Sequence, residues 1–152
     1  MLRNALLLGF VALEFPYSDQ IFLQCDGTTT KFVSGVAGST EQVTDFYRID
    51  GNEIALYDQD AGSWIPCVPE PKDSFSGSYT TCLVTDTEVI WRDKLVLPTK
   101  GTETNNNTRI YRNTSRWEDY TSDKRNGVTT AYRTSGSCKV TTDPAAGNRR
   151  LF

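Results

Sequence analysis

The chain has no histidine among its 152 residues. Imidazole is the side chain that takes and returns protons near neutral pH, so Ser-His-Asp and Cys-His nucleophile arrangements are excluded. Zinc, copper and non-haem iron sites that lean on imidazole are excluded with them, and no metal or cofactor is expected. Long apolar runs are also missing. The longest, Ala5 to Leu13, is far shorter than the roughly 20 residues a membrane-spanning helix needs. No two cysteines form a C-x-x-C pair, which removes the redox motif and makes a poor zinc site. The formal charge of -3 gives no overall pull toward nucleic acid or anionic lipid. Neither nucleic acid nor stable membrane insertion is expected.

The four cysteines present are Cys25, Cys67, Cys82 and Cys138. An even, well-spread number fits two disulfides formed in an oxidising compartment. Four cysteines allow three pairings. The strand pattern favours Cys67 with Cys82, across the base of a Pro/Gly/Ser-rich connection, and Cys25 with Cys138, on the first and last strands. Arg3 followed by the apolar run Ala5 to Leu13 has the dimensions of a signal-peptide core. Residues 1–20 are therefore expected to be a leader, residues 21–152 a single β-domain, and the location secreted or periplasmic. The region Glu14 to Asp19 has no A-x-A cleavage pattern. Gln24 is too large to precede a lipid-modified cysteine, so Cys25 reads as structural.

Charge is unevenly spread: residues 1–99 sum to -8 and residues 100–152 to +5. Such asymmetry marks either a partner surface or two halves that neutralise each other across one sheet.

Beyond the leader the pattern is strand and turn throughout. Ile21 to Cys25 reads as a first strand, Lys31 to Val33 as a further one, and Gly35 to Ser39 as a loop. Gln42 to Asp50 alternates, placing Val43, Asp45, Tyr47 and Ile49 on one face. Gly51-Asn52 then turns the chain into Glu53 to Tyr57. Pro66 marks Ser63 to Val68 as an edge strand or bulge. Tyr79 to Val84 and Glu88 to Arg92 form a hairpin with Val89 and Trp91 on one face. Pro98 to Asn107 reads as a polar loop, and Asn126-Gly127 as the strongest turn dipeptide of the chain. No segment shows a sustained helical period with caps. About nine strands in sequential hairpins predict an all-β antiparallel meander, curled into a small closed or partly open β-barrel, with a β-sandwich as the alternative.

Several short segments resemble small secreted bacterial β-proteins of unknown function. They are Phe46 to Asp50, Val84 to Asp93, the opening Cys25-Asp26-Gly27 and the closing Gly136-Ser137-Cys138 with terminal Phe152. That resemblance implies export and a small β-fold, and it brings no catalytic residues. A looser architectural likeness is to the periplasmic inhibitors of C-type lysozyme; Ser76-Gly77-Ser78-Tyr79 and Ser135-Gly136-Ser137 echo part of their inhibitory loop.

Carboxylates are the remaining catalytic candidates. The pairs Asp58/Asp60, Glu118/Asp119 and Asp86/Glu88 would serve a glycoside hydrolase only if a cleft held them at a set separation. Tyr57 to Gly62 alternates oxygen ligands like a calcium loop but lacks the later bidentate Glu, so it reads as an Asp-rich turn. Arg109, Tyr111, Arg112, Arg116, Trp117, Tyr120, Tyr132 and Arg133 interleave basic and aromatic side chains, a combination that stacks on bases or sugar rings. Arg109, Tyr111, Arg116, Trp117 and Tyr120 are the candidate binding residues, with Trp117 and Tyr120 as the platform. The functional expectation is a non-enzymatic exported module that binds a protein, such as a lysozyme-like hydrolase, or an envelope glycan. The alternatives are a structural component of an envelope or virion, a carboxylate-dependent hydrolase and, third, a carrier of apolar ligands.

Overall fold

A computed structural model describes residues 20–146. The expected leader and the terminal Leu151-Phe152 lie outside the described residues. Nine strands form one antiparallel sheet: β1 (Ile21–Val33), β2 (Val36–Asp50), β3 (Glu53–Asp58), β4 (Ser63–Pro66), β5 (Tyr79–Val84), β6 (Glu88–Leu97), β7 (Thr102–Tyr111), β8 (Arg116–Arg125) and β9 (Val128–Thr141). One short 3₁₀ turn, Pro98–Lys100, joins β6 to β7. There is no α-helix among the described residues.

The sheet order is β4-β3-β2-β1-β9-β8-β7-β6-β5. Every neighbour is a sequential hairpin partner except β1 and β9, which pair antiparallel in the middle of the sheet. The sheet curls into a half-barrel whose free edges, β4 and β5, are brought together. Cys67 follows β4 and Cys82 lies on β5, and their disulfide ties that seam. An isolated bridge between Glu70 and Thr80 adds to it. Cys25 and Cys138 are direct partners in the β1–β9 register and are also disulfide-bonded. Both expected pairings are thus formed, and Pro66 does sit on an edge strand.

Local chemistry explains the hairpins. Asn126 and Gly127 both take left-handed φ, as do Ser34 and Gly35. Two consecutive left-handed residues make the turn whose twist matches paired strands. Ser34-Gly35 therefore turns tightly between two long strands. Residues 35–39, expected to be a loop, mostly continue β2, and β1 runs unbroken through the Thr-rich stretch to Val33. The expected loop Pro98 to Asn107 is likewise mostly strand. Its polar residues pair along β7, with Asn105 opposite Lys94 and Ser122.

The concave side holds the core: Cys25, Tyr47, Ile49, Ile54, Cys67, Val89, Ile110, Trp117 and Cys138. Trp91 packs against it and Tyr47 and Ile49 are within it, as the alternation predicted. Trp117 is fully buried, over a floor where Gly27 faces Gly136 across β1 and β9. A Cβ on Gly27 would lie 3.1 Å from the Trp117 ring, so the missing Gly27 side chain makes room for the indole.

Candidate functional site

Alternation along a strand sends neighbouring residues to opposite faces. On β8, Trp117 and Asp119 point into the curl, whereas Glu118 and Tyr120 point out. Trp117 is thus corrected from binding platform to core: at 0% exposure it offers nothing to a partner. The same alternation separates Glu118 from Asp119, so that pair cannot act as one catalytic dyad. Asp58 accepts hydrogen bonds from the amides of Asp60 and Ala61, each 2.9 Å long, and so holds its own turn. Glu88 is occupied by Arg109 at 3.4 Å.

The other four binding candidates do gather on the outer face of β7 and β8. Arg109 and Arg116 lie 5.8 and 5.5 Å from the Tyr111 ring centre. The Tyr111 hydroxyl donates to Glu118 at 3.1 Å, and Glu118 also pairs with Arg116. Tyr120 stands beside this network and faces Arg133 of β9 in register. The Arg133 guanidinium lies 5.7 Å from the Tyr120 ring and 5.2 Å from the Phe32 ring of β1. Arg133 forms no ion pair among the described residues, unlike Arg109 and Arg116. It is exposed and borders a concavity of about 440 Å³ shared by Asn107, Arg109, Glu118, Tyr120 and Ser135.

Sequence reasoning noticed Arg133 but not its role, and missed Phe32 altogether. Phe32 is one hundred and one positions from Arg133 in the chain, and only the β1–β9 pairing joins them. A second outer cluster was missed for the same reason: Trp64 is 5.7 Å from Phe22 and 5.1 Å from Tyr57, with Arg48 over its ring at 5.3 Å. Tyr132 alternates to the inner face, where Lys31 covers it at 5.9 Å.

Inside the curl, beyond the apolar core, lies a polar cluster. Thr108 donates to Asp119 at 2.5 Å, and Thr29 and Thr134 share a buried hydrogen bond of 2.6 Å. Burial raises the carboxyl pKa of Asp119 above its usual value, against the hydrogen bonds from Thr108 and Thr121. Burial, then the charge of Asp119, does the same to Asp45. Tyr47 is pushed far up, chiefly by burial, then by the negative charges of Asp45 and Asp119. The carboxyls of Asp45 and Asp119 thus hold their protons more tightly than free aspartates do. No group of three or more potential metal ligands occurs among the described residues.

No helix of the described residues is long and apolar enough to cross a membrane. The two disulfides fit an oxidising environment. The chain matches no protein-family model and no curated protein sequence.

Proposed function

We propose that the protein is an exported, non-enzymatic binding module that takes an acidic glycan on the outer face of β1, β9, β8 and β7. One observation carries this reading: the Arg133 guanidinium, without an acidic partner among the described residues, is held between the Phe32 and Tyr120 rings beside an open concavity. A guanidinium fixed by flanking rings presents its planar donor fork to a carboxylate with little further ordering cost. The aromatic faces suit the C–H side of a sugar ring, and Asn107, Ser135 and Glu118 supply hydroxyl partners. Export is supported by the disulfides and by the leader-like Ala5 to Leu13.

The test is calorimetric titration with a uronic-acid tetrasaccharide and its neutral hexose counterpart. The acidic sugar is expected to bind more tightly. Arg133→Ala should weaken it at least tenfold, and Tyr120→Ala by about 1–2 kcal/mol, the worth of a stacking partner. Equal binding of both sugars, or indifference to Arg133→Ala, refutes the reading.

A protein partner is the second reading, favoured by Phe75. Its side chain is 86% exposed, yet its loop is pinned. Asp73 accepts from the Phe75 amide and the Ser76 hydroxyl at 2.8 and 2.9 Å, within the loop closed by Cys67–Cys82. A rigid loop with an aromatic tip suits insertion into a pocket, including that of a lysozyme-like hydrolase. Inhibition of such a hydrolase, abolished by Phe75→Ala and untouched by Arg133→Ala, would establish it.

A further inference from the structure

The open lower end of the half-barrel, where β1 begins and β9 ends, carries a second and chemically different concavity. Its apolar walls are Ile21, Leu23, Ile49, Val89, Ile110 and Val140, with Tyr111, Ser115 and Lys139 also bordering it, and its volume is about 240 Å³. The apolar lining continues the core outward, since Ile49, Val89 and Ile110 are themselves core residues. Such a mouth is where small β-barrels hold one compact ligand. At its edge stands Arg112. The Arg112 amide donates to the Thr87 carbonyl and one guanidinium N–H to the Thr85 carbonyl, both at 2.8 Å. Those two bonds anchor the side chain to the β5–β6 turn and leave its remaining guanidinium donors unassigned. Arg112 forms no ion pair among the described residues. Lys139 also borders the concavity, but its ammonium is already paired with Asp26 at 3.5 Å.

We infer that this mouth binds a small monocarboxylate with a short apolar body, tail inward and carboxylate on Arg112. Size sets the class. A water-sized group occupies about 30 Å³ of liquid, so the space holds on the order of eight heavy atoms. That matches a medium-chain fatty acid with its headgroup at the rim, and it is too small for a long-chain lipid. Charge sets the headgroup: an anchored guanidinium without a counter-ion among the described residues, beside apolar walls, favours an anion over an alcohol or an amine. The site borders the outer-face network at Tyr111 but does not depend on the glycan reading.

The experiment titrates the oxidised full chain with butanoate, hexanoate, octanoate and octanol, following backbone amide shifts by NMR. Affinity is expected to rise about fourfold per added methylene, or about fifteenfold at each step of the series up to octanoate. Shifts should centre on Leu23, Ile110 and Val140. Arg112→Gln should weaken octanoate at least tenfold while leaving octanol unchanged, and Val140→Trp, filling the mouth from an exposed position, should abolish both. Arg133→Ala should change neither. Three results overturn the inference: no saturable shifts with octanoate; octanol binding as tightly as octanoate; or binding only after removal of residues 147–152, which would assign the mouth to the chain's own end.

Discussion

Replacing Gly136 with alanine tests how rigid the β1–β9 junction is. Gly136 faces Gly27 across the two strands and lies beside Trp117 of β8. An added Cβ would run into the Asp26 carbonyl and sit 2.6 Å from the Gly27 Cα. Both obstacles are backbone, so no side-chain rotation relieves them. The strands would have to part where the neighbouring Cys25 and Cys138 hold their Cα atoms 3.9 Å apart. Alanine in place of a strand glycine otherwise stabilises by about 0.5–1 kcal/mol through the unfolded chain. Overpacking a filled core costs about 1–3 kcal/mol, and more when backbone must move. The expected net loss is therefore about 3 kcal/mol, or roughly 6–12 °C in Tm for a domain of this size. Gly38→Ala is the matched control, because its Cβ would meet only the Lys31 carbonyl, at an ordinary 3.5 Å. Thermal and guanidinium melts of the oxidised proteins give the comparison. If Gly136→Ala melts with Gly38→Ala, the close approach of β1 and β9 is not a fixed feature.

The raised pKa values of Asp45 and Asp119 give the acid limb of stability an unusual sign. A carboxyl that holds its proton more tightly when folded adds stability as pH falls toward the ordinary aspartate value of 3.8, and loses it as pH rises through the folded pKa. Thermal melts across the acid-to-neutral range should show that loss, and Asp45→Asn with Asp119→Asn should flatten it; an unchanged slope refutes it. Exposed Asp26, shifted down by Thr44 and Gln24, acts in the opposite sense and only weakly. The disulfides should differ in weight. Removing Cys25–Cys138, separated by 113 residues, should cost about 4–5 kcal/mol, and removing Cys67–Cys82, separated by 15, about 3 kcal/mol. Denaturant midpoints of the paired alanine variants check the order. Asp73→Ala should leave the midpoint within about 1 kcal/mol of the parent but raise amide exchange at Phe75 and Gly77, since it frees only the loop.

The strand pattern carried the fold class, the hairpins at Gly51 and Asn126-Gly127, the edge position of Pro66 and the pairing of the cysteines. It did so because turn chemistry is local, and because inward-facing Tyr47, Ile49 and Val89 repeat with the period of a strand. The extent of the strands was not legible. The run from Thr28 to Thr30 and the asparagines of β7 lack apolar alternation, and they are strand only because neighbouring strands complete their hydrogen bonds. Trp117 was misplaced for a related reason: interleaved arginine and aromatic residues look alike on either face until the register is fixed. Phe32 and Arg133 belong to one site only through the β1–β9 pairing. The two shortfalls share a cause, which is that long-range partners, not local preference, decide them.

The position of the Cys25–Cys138 bond also determines how the domain carries force. β1 and β9 are antiparallel neighbours, and the chain enters and leaves at the same end. Tension through the two ends would peel the pairs Phe22 with Thr141, Leu23 with Val140, and Gln24 with Lys139 one after another. It would then meet a covalent bond. Load would pass from Cys25 to Cys138 directly, and the chain between them would feel none of it. A protein tethered at both ends would lose the mouth, whose Leu23 and Val140 lie outside the bond, and would then behave as a short inextensible link while its outer face kept its shape. Reduction would turn the same link into a spring that pays out the whole domain.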